Sequence, residues 1–293
     1  MLIGSIFFAI MALLAESVKE QFSFPMITIA RSGVATILAL SLALLARAKL
    51  VFWKPTTLWF RSISGWISMI FGFYAMTHYD VEIVLAITNS YPIWVAVLSW
   101  PILGVLPSKR SWCALAVSLV GMWLVYASSI QLKHEPSAFS QPQTAIPAAI
   151  LASMLSGVAL INLHRLKDLD ARAIVTHFSA VATSCSLVVW LLLPMQHEYQ
   201  PASTNNILLL LCVGVAATVG QLCLTKAFAS GPPANVSIVG LSQVAVAALI
   251  KWIVEQRSPN MATLAGMGLI LASTMLVMME RPKEAIVADP QDA

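Results

Sequence analysis

Residues 227–277, AFASGPPANVSIVGLSQVAVAALIKWIVEQRSPNMATLAGMGLILASTMLV, can be laid without a gap over residues 75–125, AMTHYDVEIVLAITNSYPIWVAVLSWPILGVLPSKRSWCALAVSLVGMWLV, at an offset of 152. Identity is low, but the register aligns Ser90 with Ser242, Trp100 with Trp252 and Pro107 with Pro259. Nearer the N-terminus an offset of 147 lays Ser32-Gly33-Val34-Ala35-Thr36 over Ser179-Ala180-Val181-Ala182-Thr183, and a five-residue insertion around 197–205 accounts for the change. The chain therefore reads as a unit followed by its copy.

Each unit is almost wholly apolar. The 293 residues are 59% hydrophobic and 10% charged, with a mean hydropathy of +0.83, whereas a soluble domain carries about 25% charged residues. Ten apolar stretches are read near 2–20, 26–46, 59–77, 82–102, 111–128, 145–164, 172–194, 206–226, 234–254 and 260–279. Each is close to the ~20 residues that a helix needs to cross ~30 Å of hydrocarbon. The fold expected is an all-α integral membrane protein of ten transmembrane helices. An odd-numbered unit that is duplicated enters the bilayer upside down the second time, so the helices form two inverted five-helix repeats, 1–128 and 145–280. A Ser-, Gln- and Pro-containing linker, 129–144, joins them, and a disordered tail, 281–293, follows. The first stretch has no basic residue before it and no small-x-small pattern after it, so it reads as a retained helix rather than a signal peptide.

Lys and Arg placement orients the bundle. With both termini cytoplasmic, twelve basic residues (Arg47, Lys49, Lys54, Arg61, Lys109, Arg110, Arg165, Lys167, Arg172, Lys226, Arg281 and Lys283) fall inside and five (Lys19, Arg31, Lys133, Lys251 and Arg257) outside. The formal charge of +4 then belongs to loops at a membrane and is no nucleic-acid signature. Cys113, Cys185, Cys212 and Cys223 lie inside apolar stretches without metal-ligand spacing and read as small core residues.

Polar residues in hydrocarbon face a bundle interior or a cavity, and residues equidistant from a tight turn share a depth. Gln221 and Ser242 are equidistant from the turn Ser230-Gly231-Pro232-Pro233, and Gln243 is adjacent; Asn89 and Ser90 stand about as far from the turn near Tyr79. At ~1.5 Å per residue, ten residues from a turn is about mid-bilayer. The repeat register independently places Ser90-Tyr91 on Ser242-Gln243. The candidate substrate-binding set is therefore Asn89, Ser90, Tyr91, Gln221, Ser242 and Gln243, joined by Tyr74 of the third span as a stacking group, with helix bridging or packing as the competing role for each. Pro92 frees a carbonyl near Thr88 or simply kinks the helix. Tyr74 and Trp66 either stack on a ligand or pack against helices. Glu16 and Arg31, equidistant from the turn at Ser23-Phe24-Pro25, suggest an ion pair; alternatively both snorkel to the interface, or Glu16 faces a cavity and couples protons. No HExxH, G-x-S-x-G, P-loop or metal-ligand cluster is present, so no enzyme, metal or cofactor is expected.

Phe24-Pro25 with Ala30-Arg31-Ser32, Phe73-Tyr74-Ala75-Met76, Asn89-Ser90-Tyr91-Pro92, and Trp252-Ile253-Val254-Glu255 before Pro259 resemble the drug/metabolite transporter superfamily, specifically its EamA-type ten-helix members, over residues 1–281. The chain departs from that family at Gly104-Val105, where Gly-Glu is common. The resemblance implies a central cavity lined mainly by helices one, three, four, six, eight and nine, with five and ten peripheral or at a homodimer contact. The function expected is secondary transport of a small neutral or zwitterionic, amino-acid-like metabolite by alternating access across a bacterial cytoplasmic (inner) membrane. A flippase for a lipid-linked intermediate and a non-transporting membrane scaffold are the alternatives.

Overall fold

The computed structural model describes residues 1–18, 21–22, 24–79, 81–132, 142–192, 204–256 and 259–279. Twelve helices occupy them: α1 (Leu2–Val18), α2 (Phe24–Leu45), α3 (Thr56–His78), α4 (Val81–Thr88), α5 (Tyr91–Leu103), α6 (Lys109–Leu132), α7 (Pro142–Arg165), α8 (Ala171–Leu192), α9 (Thr204–Ser230), α10 (Pro233–Gly240), α11 (Ser242–Glu255) and α12 (Met261–Met278). There is no strand among the described residues. Among the described residues, eight spans are long and apolar enough to cross a membrane, with Ile83–Leu103 and Pro233–Val254 each counted as one, and α1 is a shorter apolar helix. The predicted linker is partly helical, because α6 runs to Leu132 and α7 begins at Pro142. The rest of that linker, the insertion before residue 204 and the tail after 279 lie outside the described residues.

Two spans are broken, and at corresponding places. Asn89 and Ser90 separate α4 from α5, and Leu241 alone separates α10 from α11. The first break follows from Pro92 in the opening turn of α5, since a proline has no N–H for the Thr88 carbonyl and disfavours helical backbone just before it. Ser90 closes the turn, its N–H and its hydroxyl both donating to the Ile87 carbonyl, at 3.1 and 2.5 Å. At the second break the Leu241 N–H reaches the Ile238 carbonyl and the Ser242 hydroxyl donates to Val239, at 3.0 and 2.7 Å.

The bundle is assembled from α3 on α7, α1 on α9, α2 on α8 and α9, α3 on α8, and α6 on α12. Exchanging α1, α2, α3 and α6 for α7, α8, α9 and α12 sends α1·α9 into α7·α3 and α2·α9 into α8·α3, and leaves α2·α8 and α6·α12 in place. At the α2·α8 contact Thr36 and Thr183, paired by the 147-residue offset, meet hydroxyl to hydroxyl at 3.5 Å. Ser118 and Ser273, which are not paired by either offset, also meet hydroxyl to hydroxyl across α6 and α12.

The distribution of polarity is that of a protein dissolved in lipid. Ile37, Phe60, Val120, Trp123, Leu191 and Met275 are exposed, while Ser5, Thr28, Ser62, Ser118 and Ser186 are fully enclosed. With apolar side chains equally content in lipid, the helices are held by close packing of small residues and by interhelical hydrogen bonds. Ser68 is one such clamp: its hydroxyl lies 2.7 Å from both the Ala152 carbonyl and the Ser156 hydroxyl of α7. The cysteines, expected in the core, are free thiols: Cys113 and Cys212 are exposed, Cys185 is half-buried, and Cys223 is half-buried where α9 meets Gly4 of α1.

Candidate functional site

The helix breaks face each other across the centre of the bundle. Gln243 Nε2 donates to Asn89 Oδ1 at 2.8 Å, and Asn89 Nδ2 donates to Tyr126 Oη at 3.0 Å. The Tyr91 hydroxyl packs on the backbone of Gly240, where any side chain would collide with it. From α1, the Ser5 hydroxyl sits 3.4 and 3.5 Å from the carbonyls of Val239 and Gly240, exposed by the end of α10.

Beside the breaks lies a cavity of about 290 Å³, near the small end of the ~300–1,000 Å³ range typical of ligand pockets. Helix α3 gives it a wall: Arg61, Gly65, Ser68, Met69, Gly72, Phe73 and Met76 all line it. Their spacing of three and four puts them on one helical face, and residues 61 to 76 extend about 22 Å along the axis. The opposite surfaces come from Ala152, Ser156 and Ala159 of α7, Gln221 and Leu224 of α9, Tyr91 and Gln243 at the breaks, and Phe8, Arg31 and Phe178.

Of the seven residues proposed from sequence to bind substrate, Tyr91, Gln221 and Gln243 line this cavity. Asn89 stands behind them and holds Gln243. Ser90 bonds Ser153 at 3.1 Å, and Ser242 is 1% exposed with its hydroxyl on Val239, so both brace helices. Tyr74 is turned toward α7 outside the cavity wall: its hydroxyl lies 3.3 Å from Thr144 and its ring lies 4.2 Å from that of His78. Trp66 donates to the Ser186 hydroxyl at 3.1 Å, which is helix packing.

Glu16 and Arg31 do not pair. The Glu16 carboxylate sits 3.5 Å from Lys251 Nζ, both about half exposed, and Arg31 turns inward to the cavity with Nη1 3.3 Å from Met69 Sδ. Equal distance from a turn fixes height but not the direction in which a side chain leaves its helix.

Arg61, counted from sequence among the cytoplasmic loop charges, is the residue that this reasoning missed. It is 3% exposed. Its Nη2 donates to Gln221 Oε1 at 3.3 Å, its guanidinium carbon stands 4.2 Å above the Phe178 ring, and its Nε has no partner. A Cβ on Gly65 would approach its Nη1 to 2.6 Å, so the glycine makes room for the guanidinium. The signal was present: Gly65, Ser68 and Gly72 follow Arg61 at helical spacing, a stripe of small residues next to a long one.

Comparisons with known proteins agree with this architecture. A family model described as the EamA-like transporter family matches residues 1–127 and 143–279. The pseudopaline exporter CntI of Pseudomonas aeruginosa is 24% identical over 277 residues, covering 92% of each chain. An uncharacterized transporter of Helicobacter pylori is 23% identical over 283 residues, 94% of this chain and 92% of its own. A probable transport protein of Saccharomyces cerevisiae is 24% identical over 243 residues, 78% of this chain and 69% of its own. A solved crystal structure superposes with a TM-score of 0.82 over 95% of this chain and 97% of its own, at 14% identity.

Proposed function

Because the chain belongs to the EamA-like transporter family and is a multi-pass membrane protein, we propose that it is a secondary transporter that carries a small organic metabolite through the central cavity by alternating access. The observation that carries the reading is the cavity itself, which is bounded by both halves of the chain and touched by both broken helices. In this reading the ten spans form two inverted repeats, 1–128 and 145–280. The breaks at 89–90 and 241, 152 residues apart as in the repeat register, and the exchange of packing partners between halves support it. Such halves rock around a site near the midplane.

Arg31 and Arg61 line the cavity, so they leave the orientation count. Eleven basic residues then remain against four, and the reading keeps both termini cytoplasmic in a bacterial cytoplasmic membrane. Helices α6 and α12 pack on each other at one side of the bundle, with Trp123 and Met275 exposed. That outer face is where a homodimer contact would form.

Tyr91, Gln221 and Gln243 offer amide and hydroxyl groups to a solute of about amino-acid size. Gln243→Ala should raise KM about fivefold, the equivalent of one neutral hydrogen bond, with unchanged membrane expression. Asn89→Ala should raise it less, because Asn89 only holds Gln243. Unchanged kinetics in Gln243→Ala would remove it from the site.

The proposal is tested by flux of a metabolite panel into proteoliposomes that contain the purified protein, with and without a pH gradient. Saturable movement of one compound establishes transport. Competition by a lipid-linked sugar alone would favour the flippase, and no flux from folded protein would favour a scaffold.

A further inference from the structure

On the reading of this cavity as a transport site, we infer that it selects organic anions: small carboxylates with an apolar body and no free ammonium group. The inference starts from Arg31 and Arg61, which line one cavity. Neither is ion-paired among the described residues, and no Asp or Glu is among the residues that line the wall. Each guanidinium carries five N–H donors in a planar fork that matches a carboxylate. The acceptors that they find are weak: Arg61 has one neutral amide oxygen at 3.3 Å and an unpartnered Nε, and Arg31 has a thioether sulfur. The site therefore has strong donors in excess and a positive charge that nothing in its wall balances.

The rest of the wall says what the anion is attached to. Phe8, Phe73, Phe178 and Met76 line the cavity, which suits an aromatic or branched aliphatic body. Few charges near the midplane suggested a neutral or zwitterionic solute from sequence, but two arginines without an acid argue otherwise. A zwitterion would bring its ammonium into a site that already holds two guanidiniums and offers no carboxylate in return. That repulsion in a partly desolvated site favours the acid whose nitrogen is acylated or absent.

The test uses four phenylalanine derivatives of nearly one shape: N-acetylphenylalanine (anion), phenylalanine (zwitterion), N-acetylphenylalaninamide (neutral) and phenylalaninamide (cation). Binding is read as stabilisation of the full-length protein in detergent and as competition for flux in proteoliposomes. N-acetylphenylalanine should bind at least ~30-fold more tightly than its neutral amide, the difference expected for a desolvated charge pair. Arg61→Gln and, independently, Arg31→Gln should pull that acid-to-amide ratio toward one. A ratio within a single variant does not depend on that variant's stability, so a structural role alone would not move it.

Equal binding of acid and amide, tighter binding of phenylalanine, or displacement of the acid by phosphatidylglycerol alone would each overturn the inference. If phenylalanine moves saturably and the acid does not, the inference falls and the transport reading stands. If nothing in the quartet or in a broad metabolite panel moves, both fall.

Discussion

Arg61→Met is expected to abolish transport and, in the same preparation, to raise the melting temperature of the empty protein. The guanidinium is 3% exposed inside a helix that packs on α7 and α8. Taking such an ion out of water costs several kcal/mol even after the protein relaxes. What it gains in return is limited to one long hydrogen bond to Gln221 and the face of Phe178. A desolvated cation over a ring is worth about 2 kcal/mol, and a charged hydrogen bond about 1.5–3 kcal/mol at good geometry. With no carboxylate beside it among the described residues, the charge is a net burden on the folded state.

Methionine is similar in volume though shorter, has no charge to desolvate, and carries a flexible thioether that fills irregular apolar space and packs well against aromatic rings. Replacing buried ionic groups with apolar side chains of similar volume is often neutral or stabilising, by up to about 4 kcal/mol, and an arginine with no carboxylate to lose belongs at the stabilising end. At ~2–4 °C per kcal/mol for a chain approaching this size, that is a rise of several degrees. Unfolding from detergent is often irreversible, so wild type and variant are compared at one scan rate. Flux in proteoliposomes should fall below detection. A variant that melts lower yet still transports would assign Arg61 to the scaffold instead.

This arginine also marks where reading the sequence stopped. Helix positions were legible because ~20 apolar residues in a row have one stable form in lipid; the stretch expected at 26–46 is α2, Phe24–Leu45, and that at 145–164 is α7, Pro142–Arg165. Depth was legible too, because rise per residue is fixed: Asn89 and Gln243, placed level from two separate turns, are joined at 2.8 Å. The direction in which a side chain leaves its helix was not legible, since neighbours set it. Tyr74, offered as a stacking group, and Glu16, placed by its distance from a turn, both face away from the cavity, and Arg31 faces it without Glu16. Counting basic residues cannot separate a loop arginine from one five residues into a helix, as Arg61 is within α3. The break at Leu241 had no proline to announce it, and the stretch 234–254 was expected as one continuous helix.

Gly157→Ala should lower the melting temperature by several degrees and reduce transport, although residue 157 contributes no group to the cavity wall. A Cβ there would lie 2.6 Å from Trp94 Cβ and 3.3 Å from the Trp94 carbonyl carbon and the Val95 nitrogen. Those atoms belong to the first turns of α5, directly after the break. Changing residue 94 to anything but glycine leaves its Cβ in place, so relief requires α5 and α7 to move apart. Overpacking of this kind costs about 1–3 kcal/mol, sometimes more.

Helix propensity pulls the other way, by about 1 kcal/mol in favour of alanine, so the sign of the result decides which effect wins. Gly268, whose added Cβ would meet nothing within 4 Å, supplies the comparison: Gly268→Ala should melt at or slightly above wild type. The transport defect follows from what α5 carries. Its opening residue is Tyr91, which lines the cavity and rests on Gly240 across the bundle, so pushing α5 off α7 shifts the two breaks relative to each other. If Gly157→Ala melts as high as Gly268→Ala and transports normally, the seam between α5 and α7 is loose, and the geometry of the breaks is set by the hydrogen bonds through Asn89 instead.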